Sequence, residues 1–135
     1  MLFSVGGVKL AARTEDVGEV SPWTNSIPVP SRTPFVQAVL KRDDGVIPVY
    51  DLAGKLSRRL QGDPLLCLVA RHLDGPMAVC IDADLPSLET VDRAAIRSSV
   101  RDDIETLGMV TIAGEDVAIV ALQRLGRSRQ VTVRS

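Results

Sequence analysis

The segment VLKRDDGVIPVYDL, which runs from Val39 to Leu52, decides the fold. Two apolar runs rich in β-branched residues flank a charged stretch that ends at Gly45, and this pattern is typical of a strand, a hairpin loop and a second strand. Pro48 has no amide hydrogen to donate within a sheet, so it indicates an edge or a bulge in the second strand. The segment therefore predicts a β-hairpin with a protected edge.

Short apolar runs separated by turn residues recur along the chain at a spacing of roughly ten residues, which is typical of an all-β sandwich or barrel. Gly6 and Gly7 predict a tight turn between the first two runs, because glycine accepts positive φ at both central positions. The predicted strands are Leu2–Val5, Val8–Ala12, Val17–Val20, Pro34–Leu40, Val46–Tyr50, Leu65–Arg71, Met77–Asp82, Met109–Ile112 and Val117–Leu122, with a small last strand at Gln130–Val133.

Three segments depart from the strand pattern. After Asp51, leucines recur at helical spacing until Gly62, which predicts a short helix. From Asp92 to Leu107, apolar residues share one face at helical spacing, which indicates a helix or a long packed loop. Prolines between the third and fourth strands predict a loop there. We expect a mainly β fold with one or two short helices.

Length, composition and charge indicate one globular domain over residues 1–135. The chain is 45% hydrophobic and 24% charged, which is enough to bury one core. Sixteen Lys and Arg residues against seventeen Asp and Glu residues give a formal net charge of -1. A nucleic-acid-binding domain usually has a strongly positive charge, so this balance argues against that class.

The apolar runs are too short to cross a membrane, since a spanning helix needs roughly 20 apolar residues. The opening MLFSVGGVKLAA lacks both the basic start and the uninterrupted apolar stretch of a signal peptide. We therefore expect a cytoplasmic protein that does not insert into the membrane.

Cys67 and Cys80 are too few for a disulfide framework and lack the spacing of metal ligands. Both lie in one predicted hairpin. If its turn centres on Leu73 and Asp74, the cysteines lie directly opposite each other; if it centres one residue later, they are diagonal neighbours on the same face. In either case we expect two free thiols close together.

Motifs of known enzymes are missing from the sequence. His72 is the only histidine and lies beside a predicted turn, so we expect a solvated hairpin residue rather than a catalytic base. Adjacent acidic pairs, such as Asp43 and Asp44, are expected to be solvated turn charges, because general acid–base catalysis needs converging carboxylates. We expect no enzyme activity, no cofactor and no metal site.

Several motifs together resemble the CheW-like domain, the chemotaxis coupling module that also occurs at the end of CheA kinases. The resemblance covers Leu2 to Leu125, and its most specific part is Val46 to Leu52, which is similar to the family's V-I-P-V-x-D-L. Other matching segments are Val17-Gly18-Glu19-Val20 with V-x-E-V, Thr33–Val39 with the approach to G-V-I, Val79–Asp82 with G-L-x-V-D, and Gly114–Leu125 with the closing strand.

The resemblance implies two interlocked five-stranded SH3-like β-barrels and an adaptor function without catalysis. One surface of such a domain holds the cytoplasmic tip of a chemoreceptor, and another holds the regulatory domain of a CheA-type histidine kinase. Carried over by position, the receptor-binding residues are Val17, Glu19, Ala38, Leu40, Asp43, Ala78 and Leu88. The kinase-binding residues are Leu65 and Leu66, which we expect to be partly exposed apolar side chains.

The sequence departs from the family at the start of the hairpin loop. Where the family has N-L-R-G, this chain has Lys41-Arg42-Asp43-Asp44, so Asp43 takes the place of an arginine used near the receptor groove. One alternative is therefore a CheW-like scaffold outside chemotaxis. Another is a small β-barrel nucleic-acid binder that uses the arginines of the C-terminal segment, namely Arg124, Arg127, Arg129 and Arg134.

Overall fold

The computed structural model describes residues 1–42, 45–99, 101 and 103–126 of the chain. Its strands are β1 (Leu2–Val5), β2 (Val8–Ala11), β3 (Val17–Pro22), β4 (Ile27–Pro28), β5 (Val36–Arg42), β6 (Gly45–Tyr50), β7 (Leu66–His72), β8 (Gly75–Ile81), β9 (Thr106–Ile112) and β10 (Glu115–Val120). One α-helix, α1 (Leu52–Lys55), and three short 3₁₀ turns complete the described elements.

The first sheet is built from both ends of the chain, in the order β1-β2-β10-β9. The segment between β8 and β9 touches both edges of this sheet. Ser87 forms a bridge with Leu2 on β1, and Arg97 forms a bridge with Met109 on β9. Because one segment borders both edge strands, the sheet closes on itself in the manner of a small barrel.

The second sheet is inserted between the two halves of the first and has the order β3-β7-β8-β6-β5-β4. Its two edge strands, β3 and β4, follow each other in the chain with four residues between them. Together they act as one bent strand that pairs with β7 on one side and β5 on the other. The second sheet therefore closes as well, and its insertion explains why the two barrels are interlocked.

A shared hydrophobic core joins the two sheets. Phe3, Val5 and Leu10 contribute from the first sheet, and Leu68 and Val79 from the second. All five side chains are at most 2% exposed. Among the described residues, neither sheet has a hydrophobic core of its own of comparable extent. Because burial of apolar area is the main stabilising contribution to folding, the two sheets depend on this shared core.

The segment that begins at Val39 forms the expected hairpin, β5 and β6. Pro48 lies opposite Val39 on β5, while β8 joins the other edge of β6 at Val49 and Tyr50. The proline thus precedes the part of β6 that has neighbours on both sides, where a missing amide hydrogen would cost a ladder hydrogen bond. Asp51 then begins α1 as its N-cap, since its side chain accepts a 2.9 Å hydrogen bond from the amide of Gly54.

Four expectations about local structure are corrected, narrowed to one alternative, or lie outside the described residues. The helix after Asp51 ends at Lys55, well before Gly62. For the segment from 92 to 107, the described residues favour the long packed loop over the helix, because they hold a short 3₁₀ turn and β9 already begins at Thr106. The proline-containing loop includes the short strand β4. The small last strand proposed at 130–133 lies outside the described residues.

Candidate functional site

The site that the sequence pointed to is centred on one face of the second sheet. Five buried residues form a small cluster there, which we call the second-sheet cluster: Leu40, Val49, Cys67, Val69 and Ala78. Strand register brings them together, because Ala78 lies opposite both Val49 on β6 and Val69 on β7. Trp23, Ala38 and Ile47 are partly buried against this cluster.

Three of the expected receptor-binding residues meet in this cluster. Leu40 is 2% exposed and Ala78 is fully buried, whereas Ala38 is half-buried at the margin. Leu40 and Ala78 therefore shape the surface from below, and Ala38 is the member of this group that a partner protein can contact directly.

Glu19 and Arg42 form an ion pair beside the cluster. Their closest atoms, Oε2 of Glu19 and an Nη of Arg42, lie 3.5 Å apart, and both side chains are more than one-third exposed. The pair links β3 to β5, which lie at opposite sides of the second sheet. Exposed ion pairs contribute little to stability, so its main effect is to place a matched pair of charges at the surface.

A cavity of about 240 Å³ opens next to this ion pair. Leu40 and Cys67 line it together with Lys41 and Arg42, which carry positive charge. Burial raises the pKa of the Cys67 thiol, while the positive charge of Arg42 opposes that shift. The cavity therefore brings an apolar side chain, two basic side chains and a thiol together.

The comparison with protein families decides what kind of domain carries this site. Residues 1–130 match the family model described as CheW-like domain. The chain belongs to the CheW-like domain family.

A solved structure shows the same CheW fold. The scaffolding protein TtCheW from Thermoanaerobacter tengcongensis superposes with a TM-score of 0.80 at 18% sequence identity, over 95% of this chain and 91% of that chain. The expected mainly β fold with two sheets and few helices is thus confirmed. A comparison with curated proteins found no match.

The other expected receptor-binding residues of this CheW-like domain lie apart from the cluster or outside the described residues. Val17 is 8% exposed and packs into the shared core. Leu88 is 72% exposed, next to the residue that bridges β1 of the first sheet. Asp43 lies outside the described residues. Of the expected residues next to the second-sheet cluster, Glu19 is exposed and Ala38 is half-buried.

Leu65 and Leu66, the expected kinase-binding residues, differ in exposure. Leu65 is partly exposed, as expected, but Leu66 is 8% exposed and belongs to the shared core. The expectation of exposure is therefore wrong for Leu66. Leu66 is the first residue of β7. Because successive side chains along a strand point to opposite faces, Leu65 and Leu66 differ in exposure.

His72 is buried, which corrects the expectation of a solvated hairpin residue. Its ring is held by two contacts: the amide of Asp74 donates to Nδ1 at 3.1 Å, and Nε2 lies 2.7 Å from the carbonyl oxygen of Leu125. Since Nδ1 accepts, the Nε2 hydrogen is the donor to that carbonyl. The histidine thus fastens the β7–β8 turn to the chain beyond β10.

Asp82 is the structural residue that the sequence analysis missed. It is 2% exposed, and its carboxylate accepts backbone hydrogen bonds from Gly6, Gly7 and Gln61 at 2.8, 2.8 and 2.9 Å. The sequence placed Asp82 at the end of the predicted strand Met77–Asp82 and in the family-like segment Val79–Asp82, but indicated no role for its side chain. Its partners lie 76, 75 and 21 residues earlier, so local patterns could not identify them.

Among the residues described, no three His, Cys, Asp or Glu side chains lie together in a way that would hold a metal ion. None of the helices in the described part of the chain is long and apolar enough to span a membrane.

Proposed function

We propose that this CheW-like domain is a non-catalytic adaptor of a bacterial chemosensory array. In this role it couples the cytoplasmic tip of a chemoreceptor to the regulatory domain of a CheA-type histidine kinase. The observation that carries the proposal is the match to the CheW-like domain family over residues 1–130, which includes both barrels. The adaptor acts in the cytoplasm as one domain, as a scaffold for signal transduction without a cofactor.

The proposed receptor surface is the neighbourhood of Glu19 and Ala38. A helical receptor tip needs an apolar strip with polar residues at its edge, since helix-in-groove recognition uses apolar anchors and a polar rim. Ala38 offers the accessible apolar position above the second-sheet cluster, and the ion pair between Glu19 and Arg42 offers the polar edge. Leu40 and Ala78 support this strip from within, and Asp43 follows Arg42 in the sequence.

The proposed kinase surface is at the start of β7, where Leu65 is accessible and Leu66 anchors the strand in the core. The carbonyl of Leu65 accepts a 2.9 Å hydrogen bond from the amide of Trp23. This bond fixes the backbone of an exposed apolar residue, and a fixed position lowers the entropic cost of binding.

A binding experiment with two variants and two matched controls tests the proposal. Purified receptor-tip and kinase regulatory-domain fragments are titrated into the full chain by calorimetry. Ala38→Asp is expected to weaken receptor binding at least tenfold, while Gln37→Asp, on the neighbouring exposed residue of β5, leaves it unchanged. Leu65→Asp is expected to weaken kinase binding, while Leu73→Asp, at a residue that is 61% exposed, leaves it unchanged.

The proposal fails if the folded chain binds neither fragment. Circular dichroism of each variant separates lost binding from lost folding. Capture of a partner that is neither receptor nor kinase would favour a CheW-like scaffold outside chemotaxis, for which the Asp43 charge reversal is the supporting observation. Binding to single- or double-stranded nucleic acid with a steep dependence on salt would instead favour the nucleic-acid alternative.

A further inference from the structure

Two cysteines to which the proposed adaptor function gives no chemical role lie side by side in the second sheet. Cys67 on β7 is directly opposite Cys80 on β8, so the turn of this hairpin centres on Leu73 and Asp74. Both cysteines are free thiols, Cys67 buried and Cys80 half-buried. Directly opposite residues of an antiparallel pair place their side chains on the same face of the sheet.

The register also gives the class of strand pair to which the cysteines belong. His72 and Gly75 flank the two-residue turn and form a hydrogen-bonded pair, and such pairs alternate along the hairpin with non-hydrogen-bonded ones. Counting five positions from the turn makes Cys67 and Cys80 a non-hydrogen-bonded pair.

Two other observations agree with this assignment. Pro76, which has no amide hydrogen, falls in a non-hydrogen-bonded pair with Arg71. The carbonyl of Leu65, two positions before Cys67, accepts from Trp23 on the side of β3. The backbone groups of Cys67 therefore point toward β3 as well, and away from Cys80.

A non-hydrogen-bonded pair is the closer of the two kinds, with Cα atoms about 4.5 Å apart. Disulfides join residues whose Cα atoms lie about 4.4–6.8 Å apart, so this pair is at the short end of the permitted range. A bond between the two sulfurs therefore requires no movement of one strand past the other.

Both thiols border accessible space, since Cys80 is half-buried and Cys67, although only 2% exposed, lies against a cavity. This is the cavity of about 240 Å³ that Lys41 and Arg42 also line. The thiolate is the form of a cysteine that attacks a peroxide. Burial raises the pKa of both thiols, but the positive charge of Arg42 opposes the shift at Cys67, whereas no positive charge of the described residues opposes it at Cys80, whose pKa rises to about 12. Cys67 is therefore the thiol that reacts first.

We propose that Cys67 and Cys80 form a reversible oxidation site, at which a peroxide converts two thiols into a cross-strand disulfide. In the first step the Cys67 sulfur attacks one peroxide oxygen, the O–O bond breaks, and an alcohol or water leaves with a proton. The product is a sulfenic acid. In the second step the Cys80 sulfur attacks the Cys67 sulfur, the S–O bond breaks, and water leaves with the Cys80 proton.

The electrons balance, because two thiols lose two electrons and the O–O bond of one peroxide gains them. A thiol reductant reverses the change. The site goes beyond the adaptor function and does not depend on it.

Trp23 packs against the second-sheet cluster that contains Cys67, and it is the only tryptophan, so its fluorescence reports on this site.

The test is peroxide titration of the reduced full chain, followed by alkylation and intact-mass measurement. We expect both alkylation sites to disappear together, a monomer lighter by two hydrogen atoms, and a peptide map that links Cys67 to Cys80. Dithiothreitol is expected to restore both thiols and the original Trp23 emission.

Two single variants separate the steps. Cys80→Ala is expected to stop at a sulfenic acid on Cys67 that dimedone traps, whereas Cys67→Ala is expected to leave Cys80 unreacted at the same peroxide dose. If either variant does not fold, the wild-type peptide map still decides. The proposal is overturned if both thiols survive peroxide doses that oxidise the urea-unfolded chain. It is also overturned if Cys67 proceeds to sulfinic acid without bridging, or if the bond forms between two chains.

Discussion

The carboxylate of Asp82 accepts a 2.8 Å hydrogen bond from the amide of Gly6, which lies 76 residues earlier in the chain. Gly6 belongs to the first hairpin of the first sheet, and Asp82 directly follows β8 of the second sheet. The other oxygen of the carboxylate accepts from Gly7 at 2.8 Å. One buried side chain therefore fixes the position of the first barrel relative to the second.

Removing the charge of Asp82 is expected to destabilise the fold. Asp82→Asn keeps the size but leaves fewer acceptors for three backbone amides, and we expect the free energy of unfolding to fall by about 2–4 kcal/mol. Urea denaturation measures the change. Asp84→Asn, at an exposed residue nearby, is the matched control and is expected to change stability by less than about 0.5 kcal/mol. Equal stability of the two variants would contradict the bridging role of Asp82.

Closure of the first barrel depends on a close approach between β9 and the segment before it. A Cβ at Gly108 would lie 2.6 Å from a methyl group of Ile96 and 2.8 Å from the carbonyl oxygen of Arg97. We therefore expect Gly108→Ala to lower the free energy of unfolding by about 2–4 kcal/mol. Gly114→Ala is the control, because that glycine also has a positive φ but nothing lies within 4 Å of the added carbon.

Gly114→Ala is expected to cost only the backbone strain of a left-handed residue, about 1 kcal/mol. Thermal unfolding of both variants makes the comparison. If both variants lose the same stability, the bridge between Arg97 and Met109 does not hold the barrel closed.

The contacts that close the first barrel also lower the pKa of Asp116. Its carboxylate accepts hydrogen bonds from the hydroxyl of Thr111 at 2.9 Å and from the guanidinium of Arg97 at 2.8 Å, and both lower its pKa. A lowered pKa in the folded state stabilises the fold above the ordinary carboxyl pKa. That contribution disappears as the pH falls through the folded-state pKa.

Thr111→Val and Arg97→Ala are each expected to raise the pKa of Asp116 toward its ordinary value, as measured by NMR titration of the side-chain carboxyl. Asp103 is the internal reference, because the hydrogen bond from Arg101 lowers its pKa independently. An Asp116 titration that neither variant moves would mean that these contacts do not persist in solution.

How much of this molecule the sequence predicts depends on how local the determining contacts are. The hairpin from Val39 to Leu52 follows from β-branched runs, a charged turn and the capping ability of Asp51, all within a few residues. The sequence left the 92–107 segment open between a helix and a long packed loop, because its apolar spacing resembles that of a helix. In the structure, Ile96 contacts β9 across the barrel closure, while Ile104 is buried in the shared core. Those contacts come from distant strands, which no local period encodes.

The candidate site was also predictable only in part. The family resemblance identified positions that could contact a partner, but the exposure of a side chain depends on which face of its strand is covered by other elements. Nothing in the sequence distinguishes Val17, Leu40 and Leu66 from exposed apolar residues. Closure of the second barrel and its packing on the first bury all three. The sequence placed Cys80 either directly opposite Cys67 or diagonal to it. The turn at Leu73 and Asp74 makes the two residues directly opposite.

The charge reversal at Asp43 gives the sharpest test of partner choice. Asp43 follows Arg42, the last residue of β5, and replaces an arginine of the family pattern. If the receptor contacts this position, a native partner must offer a basic residue, because an acidic group facing a carboxylate would be repelled and left unpaired. Asp43→Arg is then expected to weaken binding to the native receptor tip and to improve binding to a tip with an acidic residue at the contact.

Both effects are measured by titrating the two receptor tips against wild type and Asp43→Arg. A charge pair that is desolvated in the complex contributes about 2–5 kcal/mol, which corresponds to a change in affinity of roughly thirtyfold or more. Asp44→Arg is the matched control, since it changes the net charge equally at the neighbouring residue. Equal affinities in all four pairings would exclude Asp43 from the contact. An effect of Asp44→Arg as large as that of Asp43→Arg would point to the overall charge of the loop instead.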